Sequence, residues 1–162
     1  MKSNLKYSIL VFLILFVHSI TYAQAGKVPP FRMVQPDGKI FKAEYLPIGK
    51  PIVIIYFSTE CEECHQLIHE LLTRINDLKG VSIAMITYLS VQSVSQFIAE
   101  NNLAKYSNIY VGTEGSSLFV QSYYNIEKFP FMALFNKNGD LIKKYTSNEV
   151  DLTDLISRLK VI

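Results

Sequence analysis

The run Ile52-Val53-Ile54-Ile55-Tyr56-Phe57-Ser58-Thr59-Glu60-Cys61-Glu62-Glu63-Cys64-His65 decides how the rest of the chain reads. Its first six residues are β-branched or aromatic with no alternation, the pattern of a strand covered on both faces. From Cys64 onward Ile68, Leu71, Leu72, Ile75 and Leu78 follow the helical period, and Lys79-Gly80 supplies a basic last turn and a C-cap. The two cysteines therefore stand where the most buried strand hands over to a helix, the edge at which open α/β sheets bind ligands. Cys64 begins the apolar stripe and is expected to be sheltered. Cys61 falls in the first turn, where unpaired backbone N–H groups and the helix dipole favour an anion. This position assigns attack to Cys61 and resolution to Cys64.

The acidic residues around the pair set its character. Thr59-x-x-Glu62 matches a capping box, which would commit Glu62 to helix N–H groups. Glu60, Glu62 and Glu63 also place negative charge beside Cys61 and oppose its thiolate, against about 0.3–1 kcal/mol from the dipole. The net expectation is a thiolate only modestly favoured. A strongly oxidising dithiol needs a heavily stabilised thiolate, so the glutamates point to a reductant or isomerase-like carrier. His65 lies four residues from Cys61 on the same helical face and, when protonated, pushes the other way. His65 and His69 also have the i, i+4 spacing of metal ligands, but exposed polar positions on an amphipathic helix explain them better and no ligand set is complete.

The remaining composition narrows the function classes. The chain has 162 residues, 49% of them apolar and 19% charged, which suits one globular domain and excludes a disordered or collagenous chain. Its two cysteines cannot make a disulfide-dense scaffold, and a bridge across so short a loop stabilises folding little. Sixteen Lys plus Arg stand against fourteen Asp plus Glu, and Lys2 and Lys6 belong to the leader described next. The remainder is balanced, so nothing argues for nucleic acid or anionic lipid.

Lys2 and Lys6 precede the apolar run Ile9 to Val17, which His18, Ser19, Thr21 and Gln24 interrupt well before membrane-spanning length. Residues 1–25 read as a secretory signal peptide, with A-x-A-type cleavage after Ala25 or Ala23, and residues 26–162 as the exported domain. Retention of the segment as an anchor is the alternative, and no cysteine follows the run to carry a lipid. With the signal removed, no stable membrane insertion is expected.

Outward from the central stretch, Phe31 to Gln35 and Ile40 to Leu46 flank Pro36-Asp37-Gly38-Lys39 and read as a hairpin. Val81 to Tyr88 and Asn108 to Val111 are strand candidates. A second helix carries Val94, Phe97 and Ile98, and a third covers Ser116 to Tyr124. Phe131 to Phe135 and Leu141 to Tyr145 flank Asn136-Lys137-Asn138-Gly139-Asp140, a strong hairpin signal, and Asp151 to Leu159 closes the chain as a helix. Tyr123 and Tyr124 read as core, with lining of a groove near Phe129 as the alternative. The fold class is α/β, a central mixed sheet flanked by helices with an N-terminal hairpin extension.

The strand IVIIYF, then Ser58-Thr59-Glu60, then Cys61-x-x-Cys64 opening a helix, and much later Phe129-Pro130 before FMALF, resemble the thioredoxin superfamily. The opening PFRMVQPDGKIFKAEYLPIGKPIVIIYF and the helix-and-strand insertion before Pro130 are similar to the TlpA/ResA-type branch of extracytoplasmic thiol–disulfide oxidoreductases, mostly bacterial. The resemblance implies a thioredoxin-like fold and a redox-active Cys61–Cys64 disulfide. It also implies a cis-proline at Pro130 and, at Phe129, backbone groups offered to substrate. It implies protein disulfide or dithiol clients, a membrane thiol electron donor, a periplasmic location, no metal and no organic cofactor. A monomer is expected. Three positions depart from the pattern: Glu60 replaces a common Trp, Ile55 replaces thioredoxin's buried Asp, and Leu67 replaces the Glu of ResA-like members. No proton relay is therefore named.

Three alternatives compete. Cys61-Glu62-Glu63-Cys64-His65 fits the C-x-x-C-H haem attachment pattern, with Met85 or Met132 as an axial ligand. A peroxiredoxin would need Pro at Ile54 and Thr at Ser58. A third reading keeps the fold as a binding module without catalysis.

Overall fold

The computed structural model describes residues 26–162. The signal-peptide expectation falls on residues 1–25, outside the described residues. Strands β1 (Arg32–Val34), β2 (Ile40–Lys42), β3 (Ile52–Tyr56), β4 (Ser82–Thr87), β5 (Ile109–Thr113), β6 (Phe131–Phe135) and β7 (Leu141–Tyr145) form one sheet in the order β2-β1-β5-β4-β3-β6-β7. β3, β4 and β5 run parallel, while β6 pairs antiparallel to β3 and β7 to β6. The helices are α1 (Glu62–Thr73), α2 (Val91–Glu100), α3 (Phe119–Tyr124) and α4 (Leu152–Leu159). Among the described residues no helix is long and apolar enough to cross a membrane.

Period-two alternation splits the unbroken apolar strands between two cores. Val53, Ile55 and Phe57 enter the layer that holds Cys64, Leu67, Ile68 and Leu71 of α1, Phe97 of α2, and Leu155 of α4. Ile52, Ile54 and Tyr56 enter the opposite layer, with Val120 of α3 and Phe31, Met33 and Phe41 of the opening hairpin. β3 is buried throughout, as its composition predicts. The register Tyr56↔Ile86 places the ends of β3 and β4 level, so the residues after Tyr56, Thr87 and Thr113 share one edge of the sheet.

Element ends differ from the pattern in several places: the strand expected over Ile40 to Leu46 stops at Lys42, where Ala43–Tyr45 form a 3₁₀ turn, and β5 runs on to Thr113 instead of stopping at Val111. The helical stripe predicted to run on to Lys79 breaks at Arg74, after which Ile75–Leu78 form a 3₁₀ turn. Apolar residues three apart, as Ile75 and Leu78 are, share a face in either geometry, so that spacing alone cannot separate the two. The helix predicted over Ser116 to Tyr124 is a 3₁₀ turn at Gly115–Ser117 and then α3, separated by Leu118 at φ 46°. A leucine in the left-handed region is rare and has no sequence signature.

The hairpin joins the sheet through one narrow seam, Val34↔Thr113. Glycine is required beside it, because a Cβ on Gly112 would lie 2.8 Å from Met33 Cγ and 2.8 Å from the Val34 carbonyl oxygen. The backbone oxygen cannot rotate away. Gly112→Ala is expected to cost about 1–3 kcal/mol, seen as a lower urea midpoint with an unchanged slope.

Candidate functional site

Beyond β3 the chain turns through Ser58, Thr59 and Glu60. The buried Ser58 hydroxyl accepts the Glu60 N–H at 3.2 Å, and its carbonyl accepts the Cys61 N–H at 3.3 Å. These bonds fix the entry to α1. The N-cap of α1 is Cys61 itself, whose Sγ accepts the Cys64 N–H at 3.3 Å. This corrects the capping-box expectation: the helix starts two residues beyond the start that a Thr59 cap would give, and Glu62 instead accepts from the Gln66 amide at 3.5 Å. A sulfur can fill the capping role, which a Ser/Thr-based motif does not anticipate.

The two thiols are free and differ in environment. Cys61 is half-buried; Cys64 is 0% exposed, inside the core layer with Ile55 and Leu67. Burial, and then the hydrogen bond with Cys61, push the Cys64 thiol well above its ordinary range, while a Ser58 backbone hydrogen bond works the other way. The positions where relatives carry an acid are therefore aliphatic and closed. The one buried acid among the described residues, Glu114, bonds Tyr56 in the opposite core layer.

Two acceptors face the Cys61 S–H: Glu63 Oε2 at 3.4 Å and the Phe129 carbonyl at 3.8 Å. Glu63 is exposed, and its own backbone N–H and then the Cys61 thiol hold its carboxyl below the usual carboxylate range. Glu60 and Glu62 are also exposed. The His65 side chain makes its contacts elsewhere than at the Cys61 sulfur, with Nε2 at 2.8 Å from the Thr59 carbonyl and its ring centroid 5.4 Å from that of Phe97. Its imidazole braces the loop before Cys61. His69 is exposed, and no group of metal-binding side chains occurs among the described residues.

The Phe129–Pro130 peptide is cis, as the resemblance implies. Its loop comes to the cysteines at the same edge of the sheet, since the start of β6 pairs with the end of β3, Tyr56↔Phe131. The Phe129 ring rests between Tyr88 and Tyr56, with ring centroids 5.8 Å away in each case. Sequence reasoning missed both tyrosines. Tyr88 was legible in principle, because it ends the β4 segment at the same sheet edge as Cys61. Tyr56 is held by Glu114, whose Oε1 accepts its hydroxyl at 2.7 Å, while Glu114 Oε2 accepts the Val120 N–H at 2.8 Å. Tyr124 packs on Phe131 at 4.9 Å in the core layer opposite Cys64, while Tyr123 is 37% exposed.

The geometry does not suit haem attachment. Both sulfurs would have to reach a porphyrin, yet Cys64 is 0% exposed, as are Met85 and Met132. The His65 Nε2 that would ligate iron lies against the Thr59 carbonyl.

Comparison with known proteins agrees with the fold. A secreted Mycobacterium tuberculosis disulfide oxidoreductase homologous to E. coli DsbE superposes with TM-score 0.66 at 18% identity, covering 82% of this chain and 96% of that one. A thiol-disulfide oxidoreductase from Bacteroides fragilis gives 0.66 at 14% identity over 83% and 97%. An exposed lipoprotein thioredoxin (Etrx1) of Streptococcus pneumoniae gives 0.61 at 17% identity over 83% and 100%. No curated protein matches by sequence. Residues 26–159 match the profile of the Thioredoxin-like domain, and on that match the chain belongs to the thioredoxin-like family.

Proposed function

We propose that the protein is an extracytoplasmic thiol–disulfide oxidoreductase that reduces protein disulfides. The observation that carries this reading is the asymmetry of the pair: a half-buried Cys61 beside the Phe129 carbonyl, and a fully buried Cys64 whose N–H bonds the Cys61 sulfur. Cys61 loses its proton to solvent and attacks a client disulfide, forming Cys61–S–S–client and expelling the client's other sulfur as a thiolate. Cys64 then attacks Cys61 Sγ. The Cys61–Cys64 disulfide forms, the client sulfur leaves, and the Cys64 proton ends on that departing thiolate. Two electrons pass from the dithiol to the client.

A buried base is not needed for this balance, which suits the aliphatic Ile55 and Leu67 beneath Cys64. Pro130 and Phe129 form the docking edge. Regeneration requires a dithiol donor, by resemblance a membrane thiol carrier. The periplasmic location rests on the sequence of residues 1–25, and the reaction needs no metal or organic cofactor. The domain acts as a monomer.

A redox titration followed by thiol alkylation tests the reading. One two-electron transition involving both cysteines is expected, nearer to about −270 mV, as in thioredoxin, than to the strongly oxidising value of about −120 mV. A midpoint at the oxidising end contradicts the reductase direction.

A further inference from the structure

The Cys61 thiol has one proton and two facing acceptors, of which Glu63 Oε2 is the nearer at 3.4 Å. Once this sulfur enters a mixed disulfide the proton is gone, and the Glu63 carboxylate stands beside a neutral sulfur without that donor. Nothing else among the described residues replaces it. No ion pair among the described residues involves Glu60, Glu62 or Glu63. The Gln66 amide is committed to Glu62, and the His65 Nε2 faces the Thr59 carbonyl. Lys128, next to Phe129 in sequence, pairs with none of them. Glu63 stays ionised at neutral pH, because its own backbone N–H and the thiol both favour the charged form. Its place in the first turn of α1 fixes where that charge sits.

We infer that Glu63 is a specificity-determining residue that recognises a basic side chain flanking the client's reacting cysteine. The substrate class of the site is accordingly disulfides with Lys or Arg beside the attacked sulfur. The inference rests on the proposed exchange through Cys61. The covalent step is the one already written: Cys61–S⁻ displaces one client sulfur as thiolate. Glu63 takes no electrons and keeps no proton. It exchanges the departing S–H donor for the client's ammonium or guanidinium, and an acidic neighbour in that place is repelled.

The test is single-turnover reduction by the prereduced full-length protein. Its substrates are three quenched fluorescent peptide disulfides that carry Lys, Gln or Glu on both sides of the cysteine. The Lys peptide is expected to react about tenfold faster than the Glu peptide at low salt, with the ratio closing as salt screens the pair. Glu63→Gln is expected to cut the ratio to about threefold, a larger loss than Glu60→Gln causes. A ratio untouched by Glu63→Gln, or equal rates for Lys and Glu peptides in the unsubstituted protein, overturns the inference. If none of the peptides is reduced, the exchange reaction itself is wrong, and the specificity falls with it.

Discussion

Cys64→Ser is expected to leave the protein covalently tied to clients through Cys61, with turnover of protein disulfides falling by about a thousandfold or more. The adduct follows from the positions of the two sulfurs. Cys61 is reachable beside the Phe129 carbonyl, whereas Cys64 is 0% exposed and meets another sulfur only when that sulfur is Cys61. Serine keeps the helix packing but cannot break the mixed disulfide, so the first step accumulates. Cys61→Ser should be equally inactive and free of adducts. The double variant should be no worse than either single one, because groups acting as a unit do not add. Mass spectrometry of adducts trapped in the native host reads both variants and names the clients. Adducts on Cys64 in the Cys61→Ser protein, with none on Cys61 in the reciprocal variant, would reverse the roles.

Those roles were legible because local rules and the global fold agree at this point. The unbroken IVIIYF run could only be a strand covered twice, and the apolar stripe beginning at Cys64 predicted its burial. Ile55 and Leu67 were readable only as departures from the family's acidic positions; the structure puts both in the core layer that holds Cys64. The cap was misread because Thr59 and Glu62 satisfy a motif written for hydroxyls, while the chain uses the cysteine's own sulfur. The orientation of His65 was not in the sequence at all, since helical spacing places it on the face of Cys61 and only the Thr59 carbonyl and Phe97 decide where its ring turns. Leu118 escaped for a different reason: its left-handed backbone is imposed by the surrounding chain and not by its own preference.

Glu114 is the largest feature that the sequence concealed. A lone acid before Gly115 reads as a turn residue, yet it is 8% exposed and joins three segments. Its carboxylate accepts the Tyr56 hydroxyl from β3 and the Val120 and Gln121 N–H groups from α3, and its own N–H bonds the Thr87 carbonyl at the end of β4. Only the tertiary fold brings these donors together.

Glu114→Ala is therefore expected to cost about 3–5 kcal/mol, because it strands buried donors that now share one carboxylate. The Tyr56 hydroxyl keeps only the Gln121 Oε1 at 3.4 Å, a weak substitute. A melting temperature lower by about 10 °C or more would accompany the loss. The effect should also reach the chemistry, because the Tyr56 ring lies 5.8 Å from Phe129, whose carbonyl faces Cys61. A loosened Tyr56 lets the docking edge shift. Single-turnover reduction of a protein disulfide should then slow more than reduction of a small aromatic disulfide, which reacts with Cys61 without docking. Equal slowing of both would reduce Glu114 to a purely structural acid. Tyr56→Phe separates the two effects: the ring still supports Phe129 and Glu114 still caps α3, so the expected cost is only about 1 kcal/mol. Glu114→Gln should fall between them, since an amide that accepts from Tyr56 turns a donor toward the Val120 N–H. If Tyr56→Phe proves as costly as Glu114→Ala, the hydroxyl rather than the cap holds this edge of the sheet.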